Sequence, residues 1–116
     1  MAQIVGYLTE KEALRFLDYA QACGVTGSTL ANLLISRELR LGRLSVLAEA
    51  FEAQRSLPNS AKIVAHLTDP DRKTEFYAHA ARHGLKPAAA AAALYRAEIA
   101  EFWLLRALRV NQFDSD

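Results

Sequence analysis

The stretch IVGYLTEKE, residues 4–12, returns later in the chain as IVAHLTDPD, residues 63–71. Each copy alternates apolar residues, closes on Leu-Thr and continues into acids, which predicts a strand feeding a helix N-terminus. A shift of 59 positions lays Ile4, Val5, Leu8 and Thr9 on Ile63, Val64, Leu67 and Thr68. One extra residue in the second copy makes the shift 60. Phe16 then meets Phe76, Ala20 meets Ala80, Gly24 meets Gly84, Leu34 meets Leu94, Glu38 meets Glu98 and Leu44 meets Leu104. A repeat of this period marks one supersecondary unit written twice.

The unit is readable locally. Ile4, Gly6 and Leu8 fall on one face of a short strand over residues 3–8, and Gln3, Val5 and Tyr7 on the other. Thr9 and Glu12 have the spacing of a capping box. The helix that follows runs to Ala22 with Ala13, Leu14, Leu17 and Ala20 on its stripe, and Gly24 stops it. TGST, residues 26–29, offers hydroxyl caps to a second helix carrying Leu30, Leu33 and Leu34, which weakens or ends at Gly42. A further helical spacing follows in RLSVLAEAFEAQRSL, residues 43–57, and Pro58-Asn59 is a turn.

The second copy keeps the plan. Its strand covers residues 62–67, Thr68 and Asp71 form a capping pair around Pro70, and the next helix ends at Gly84. Pro87 opens one long predicted helix, AAAAAALYRAEIAEFWLLRALRV, whose alanine run has the highest helix propensity and admits a close neighbour. The tail NQFDSD, residues 111–116, is expected to fray.

Bulk composition bounds the classes. With 116 residues, 52% hydrophobic and 23% charged, the chain fits one domain, residues 1–116. Within it repeat one spans 3–56, a turn 57–61, and repeat two 62–112. The net charge of +1 means that any nucleic acid must be held by locally placed cations. Cys23 is the only cysteine, which excludes a disulfide framework and predicts a reducing, cytoplasmic setting. The N-terminus lacks the pattern of a secretory signal, and no apolar run is long enough to cross a membrane.

One strand with two helices cannot bury its apolar face alone, but two copies can if their strands pair antiparallel with helices behind them. The order strand-helix-helix resembles the ribbon-helix-helix family of DNA-binding proteins. The residues carrying the resemblance are Leu8-Thr9-Glu10 with GVTGSTLANLL (24–34), and Leu67-Thr68-Asp69 with GLKPAAAAAAL (84–94). The resemblance implies an α+β, mostly helical fold. In it two ribbon-helix-helix repeats form an intramolecular pseudo-dimer with a two-stranded antiparallel ribbon. Single-chain tandem members of the TraY type act as relaxosome accessory proteins in plasmid conjugative transfer, beside a relaxase or other transfer protein.

The resemblance also implies where DNA is met. The ribbon enters the major groove of double-stranded DNA. Strand parity then turns Gln3, Val5 and Tyr7, with Lys62, Val64 and His66, toward the bases. Glutamine suits adenine, lysine suits guanine, and valine suits the thymine methyl group. Phosphate is expected at the start of the second helix of each repeat, at Thr26, Gly27 and Ser28 and at Lys86. Pro87, beside Lys86, has no amide to contribute. A transcriptional repressor would use the same chemistry. The exposed valines also fit a protein-interaction adaptor without DNA binding.

Other candidates point to simpler roles. His79 and His83 are four apart, a metal-ligand spacing, yet no cysteine or HExxH pattern supplies further ligands. A solvated pair at a helix C-terminus is expected, with no metal and no cofactor. Cys23 has no partners for nucleophilic catalysis, so the expectation is a protein that is not an enzyme. The three arginines of RELRLGR, residues 37–43, read as a solvated face or a backbone-phosphate contact. Phe102 and Trp103 exceed one helical stripe and suggest self-association.

Overall fold

The computed structural model describes residues 2–44, 46, 47 and 60–114. The expected helix beyond Leu47 and the turn at Pro58-Asn59 lie outside these residues. Within them the chain is a mostly helical α+β fold with one two-stranded antiparallel sheet and five helices. The strands are β1 (Ala2–Leu8) and β2 (Ala61–Leu67), and α1 (Glu10–Ala22) and α2 (Gly27–Leu41) follow β1. After β2 come α3 (Pro70–Arg82), α4 (Pro87–Glu101) and α5 (Trp103–Asp114).

Alternation decides how the sheet sits. In both strands every second residue is buried, so Ile4, Gly6, Leu8, Ile63, Ala65 and Leu67 face the helices. Helix α4 lies on β1, and α2 lies on β2. Gly6 permits the close approach of α4 to β1. A Cβ there would stand 2.6 Å from Tyr95 Cε2 and 3.0 Å from the Ala92 amide nitrogen. The alanine run of α4 serves the same approach, because every residue from Ala90 to Ile99 is buried. Such a helix has no solvent stripe and runs through the centre of the core. Phe16, Phe76, Leu30 and Ile35 pack around it, with the Phe16 and Tyr95 rings 5.2 Å apart.

Caps set the helix starts. Thr9 makes both bonds of the expected capping box, its Oγ1 accepting from the Glu12 amide and its own amide donating to Glu12 Oε1. In the second copy the cap is Asp69, not Thr68; its carboxylate accepts from the Asp71 amide at 2.9 Å. The inserted residue explains the change, since a shift of 60 carries Thr9 onto Asp69. Pro70 then occupies the first turn, where no amide is needed.

The long C-terminal helix expected from the alanine run is two helices. Phe102 breaks it, taking the left-handed conformation at φ 55°, ψ 43°. Its counterpart Gly42 ends α2 at φ 67°, ψ 43°, and each donates its amide to the carbonyl four residues back. Neither glycine nor proline announces the break at Phe102. Of the tail expected to fray, residues 111–116, the first four are helical, since α5 continues to Asp114.

Candidate nucleic-acid interface

The outer face of the ribbon gathers the six residues picked out by strand parity. The register sets Gln3 opposite His66, Val5 opposite Val64 and Tyr7 opposite Lys62. Gln3, Tyr7, Lys62 and His66 are exposed, while Val5 and Val64 at the centre are half-buried. From Gln3 to Tyr7 the strand advances about 13 Å at the usual rise. The major groove, about 12 Å wide, admits a two-stranded ribbon of this kind. Lys62 is the one residue of the face with a permanent charge.

The two ends of this face differ. At one end Gln3 Nε2 and His66 Nδ1 are 3.2 Å apart and hydrogen-bonded across the strands. The backbone there is anchored from behind, because Asn32 on α2 donates from Nδ2 to the His66 carbonyl at 2.7 Å. Beside it opens a polar groove lined by Ser36, Thr68, Asp69 and Arg72, with Arg72 Nη1 donating to Ser36 Oγ at 2.9 Å. At the other end stand Tyr7 and Lys62. A bonded amide and imidazole thus face a phenol and an ammonium across the two valines.

The expected phosphate positions lie at the starts of the two helices behind the ribbon. Thr26 is the N-cap of α2, and its hydroxyl oxygen accepts from the Thr29 amide at 3.1 Å. The amides of Gly27 and Ser28 precede the first intrahelical bond and point out of the helix end. Gly27 itself sits against α1: a Cβ there would meet Leu17 Cδ2 at 2.5 Å. Lys86 is the exposed N-cap of α4 without a side-chain cap bond, and Pro87 follows it. The second position therefore offers an ammonium where the first offers amides.

Two of the three arginines of RELRLGR find partners within the fold and are half-buried. Arg43 forms a bidentate pair with Glu101 at 2.9 and 3.0 Å. That bond holds the Glu101 carboxyl below the usual range. Arg37 lies over the Trp103 ring, 4.5 Å from its centre, and burial lowers its pKa. Only Arg40 keeps the exposed placement expected of the group. His79 is not part of a solvated pair either. Its Nε2 stands 2.6 Å from Glu38 Oε2, with the side chain 12% exposed.

That contact belongs to a buried junction the sequence reading did not anticipate. Glu38 on α2 accepts from the Arg43 and Leu44 amides at 3.0 and 2.9 Å, closing the turn after Gly42. Glu98 on α4 accepts from the Leu104 amide at 2.8 Å, closing the turn after Phe102. Tyr19 on α1 donates to Glu98 at 2.5 Å, as His79 on α3 meets Glu38. Burial, then the Glu98 carboxylate, push the Tyr19 phenol well up. A signal existed: Glu38 and Glu98 fall in register inside an apolar stripe, where an unpaired carboxylate is costly.

Among the described residues no group of three or more histidine, cysteine or acidic side chains is placed to hold a metal ion. No described helix is long and apolar enough to cross a membrane. Comparison with protein-family models, with curated proteins and with solved structures gives no match.

Proposed function

We propose that β1-α1-α2 and β2-α3-α4 are the two halves of a ribbon-helix-helix pseudo-dimer that binds double-stranded DNA without catalysis. The observation carrying this reading is the register of the sheet. Val5 and Val64, equivalent under the shift of 59, face each other, and Gln3, Tyr7, Lys62 and His66 are exposed around them. Paired helix lengths favour the same view, with 13 residues in α1 and α3 and 15 in α2 and α4. The ribbon reads base edges, and the helix starts at Thr26, Gly27, Ser28 and Lys86 hold phosphates.

The unlike ends of the ribbon favour an asymmetric DNA site. An accessory protein in conjugative transfer, working with a relaxase, needs such a directional site because one strand is nicked. This is the setting we propose, with transcriptional repression as the alternative use of the same surface. Exposed Leu14 and Leu17 on α1, at 63% and 45%, favour a contact with a protein partner as well. Phe102, 41% exposed just before α5, favours self-association through this end of the chain.

Duplex binding across a salt series tests the proposal. With about four phosphates neutralised, log K against log salt should slope near roughly −3.6. Absence of duplex binding at low salt would leave the protein-interaction adaptor as the better reading.

A further inference from the structure

The shift of 60 that aligns the two repeats carries Glu12 onto Arg72 and Ser36 onto Arg96. Both pairs of positions meet in the structure, but with different chemistry. Between α1 and α4, Arg96 Nε and Nη2 donate to the Glu12 carboxylate at 2.9 and 3.1 Å, so cation and anion are matched. Between α3 and α2, Arg72 Nη1 donates to the Ser36 hydroxyl at 2.9 Å. Among the described residues Arg72 has no carboxylate partner. A hydroxyl is a neutral acceptor, so this half-buried guanidinium keeps an unbalanced charge and N–H donors to spare.

At this second meeting place lies the polar groove, about 340 Å³ in volume, with Asn32, Ser36, His66, Thr68 and Arg72 in its walls. No residue of β1 lines it, so it opens on the free edge of β2. Paired strands lie about 4.8 Å apart, and a ribbon seated in a major groove about 12 Å wide has a phosphate backbone along each free edge. Ser28, Asn32 and Ser36 recur every fourth residue on one face of α2. They lead from the helix start to the Arg72 contact over a rise of about 12 Å. Asp69 is the one acid lining the groove. Its Oδ1 is spent on the Asp71 amide, and its exposure leaves its charge screened by solvent.

We propose that Arg72, with the Ser36 and Thr68 hydroxyls, holds a backbone phosphate of double-stranded DNA at the free edge of β2. The phosphate supplies the anion that the Arg72–Ser36 pair lacks. This rests on the DNA-binding reading above. The contact is one-sided, because in the other half Glu12 already neutralises Arg96. The Asn32 bond to the His66 carbonyl fixes the strand edge against α2 and so keeps the groove in place beside the ribbon. A phosphate held here positions the duplex and carries no base preference of its own.

Salt series on a duplex selected from a randomised pool test this with wild type, Arg72→Gln and Arg72→Lys. The slope of log K against log salt should shrink by about 0.9, one phosphate, in Arg72→Gln and stay at the wild-type value in Arg72→Lys. Should glutamine disturb the fold, Arg72→Met, of similar length, takes its place. Single methylphosphonates, which remove one phosphate charge at a time, then locate the contact. One of them, in the half-site marked by Gln3→Ala, should weaken wild-type binding by about tenfold, the low end for a hydrogen bond to a charged group, and leave the neutral variant indifferent. A merely structural Arg72 would change stability and leave the slope alone. An unchanged slope in the neutral variant, or no methylphosphonate that tells it from wild type, overturns the phosphate contact and leaves DNA binding standing. Recovery of no duplex by the wild type overturns the DNA-binding reading and this contact with it.

Discussion

Gly42 and Phe102, sixty positions apart, hold nearly the same left-handed backbone, at φ 67° and 55° with ψ 43° in both. For glycine this conformation is free of Cβ strain; for phenylalanine it costs about 1–2 kcal/mol. Two contacts oppose that cost. The Phe102 ring lies 5.3 Å from Tyr19, and Glu98 holds the Leu104 amide just beyond the break.

Substitutions at Phe102 should therefore invert the ordinary helix order. Phe102→Gly and Phe102→Ala both lose the ring, but only glycine relieves the backbone. Chemical denaturation should find the glycine variant more stable than the alanine variant by about 1 kcal/mol. Alanine equal to or better than glycine would mean that the helix runs straight through this position.

Tyr95 is fully buried under Gly6, and its hydroxyl has no hydrogen-bond partner among the described residues. Burial alone pushes its phenol well up. A buried hydroxyl without a partner costs about 1–3 kcal/mol. Tyr95→Phe keeps the ring that packs on Phe16, so it should raise the midpoint of urea unfolding. A loss of stability would reveal a bond to that hydroxyl.

Acid should weaken the fold through two carboxylates. Burial alone would raise the Glu12 carboxyl, but hydrogen bonds from Arg96 and the Thr9 amide outweigh it and hold it low. The Arg43 bond does the same for Glu101. A carboxyl lowered in the folded state contributes stability above its unfolded pKa, about 4.3 for glutamate, and loses it as pH falls through the folded value. Urea melts between about pH 6 and about pH 3 should show this fall. Glu12→Gln should flatten more of it than Glu101→Gln, whose side chain is 34% exposed against 17%. Equal curves for wild type and both variants would place the acid-sensitive groups elsewhere.

The unlike ribbon ends should be separable in DNA binding. Lys62→Ala should relax choice at one half-site and cost about 1–3 kcal/mol if the ammonium meets guanine. Gln3→Ala should act on the other half. Site selection that returns a perfect palindrome, with both variants weakening the two halves equally, would favour a repressor over a transfer protein.

Much of this fold is legible because its signals are local. The strands, their buried parity and the box at Thr9 and Glu12 each rest on neighbours within four residues, where alternation and capping act directly. The repeat register even set Glu38 on Glu98 and, through the same shift, brings Tyr19 onto His79. What those residues do came from contacts across 41 and 79 positions, His79 to Glu38 and Tyr19 to Glu98, which no local pattern carries. The same holds for Arg37 on Trp103 and Arg43 on Glu101, cations that chain order alone would leave in water. At Phe102 local propensity favoured a continuous helix, and packing overrode it, since a buried carboxylate needs donors and the turn supplies the Leu104 amide. Local chemistry decided where each element starts and which face it buries; the tertiary structure decided which polar groups the core would keep.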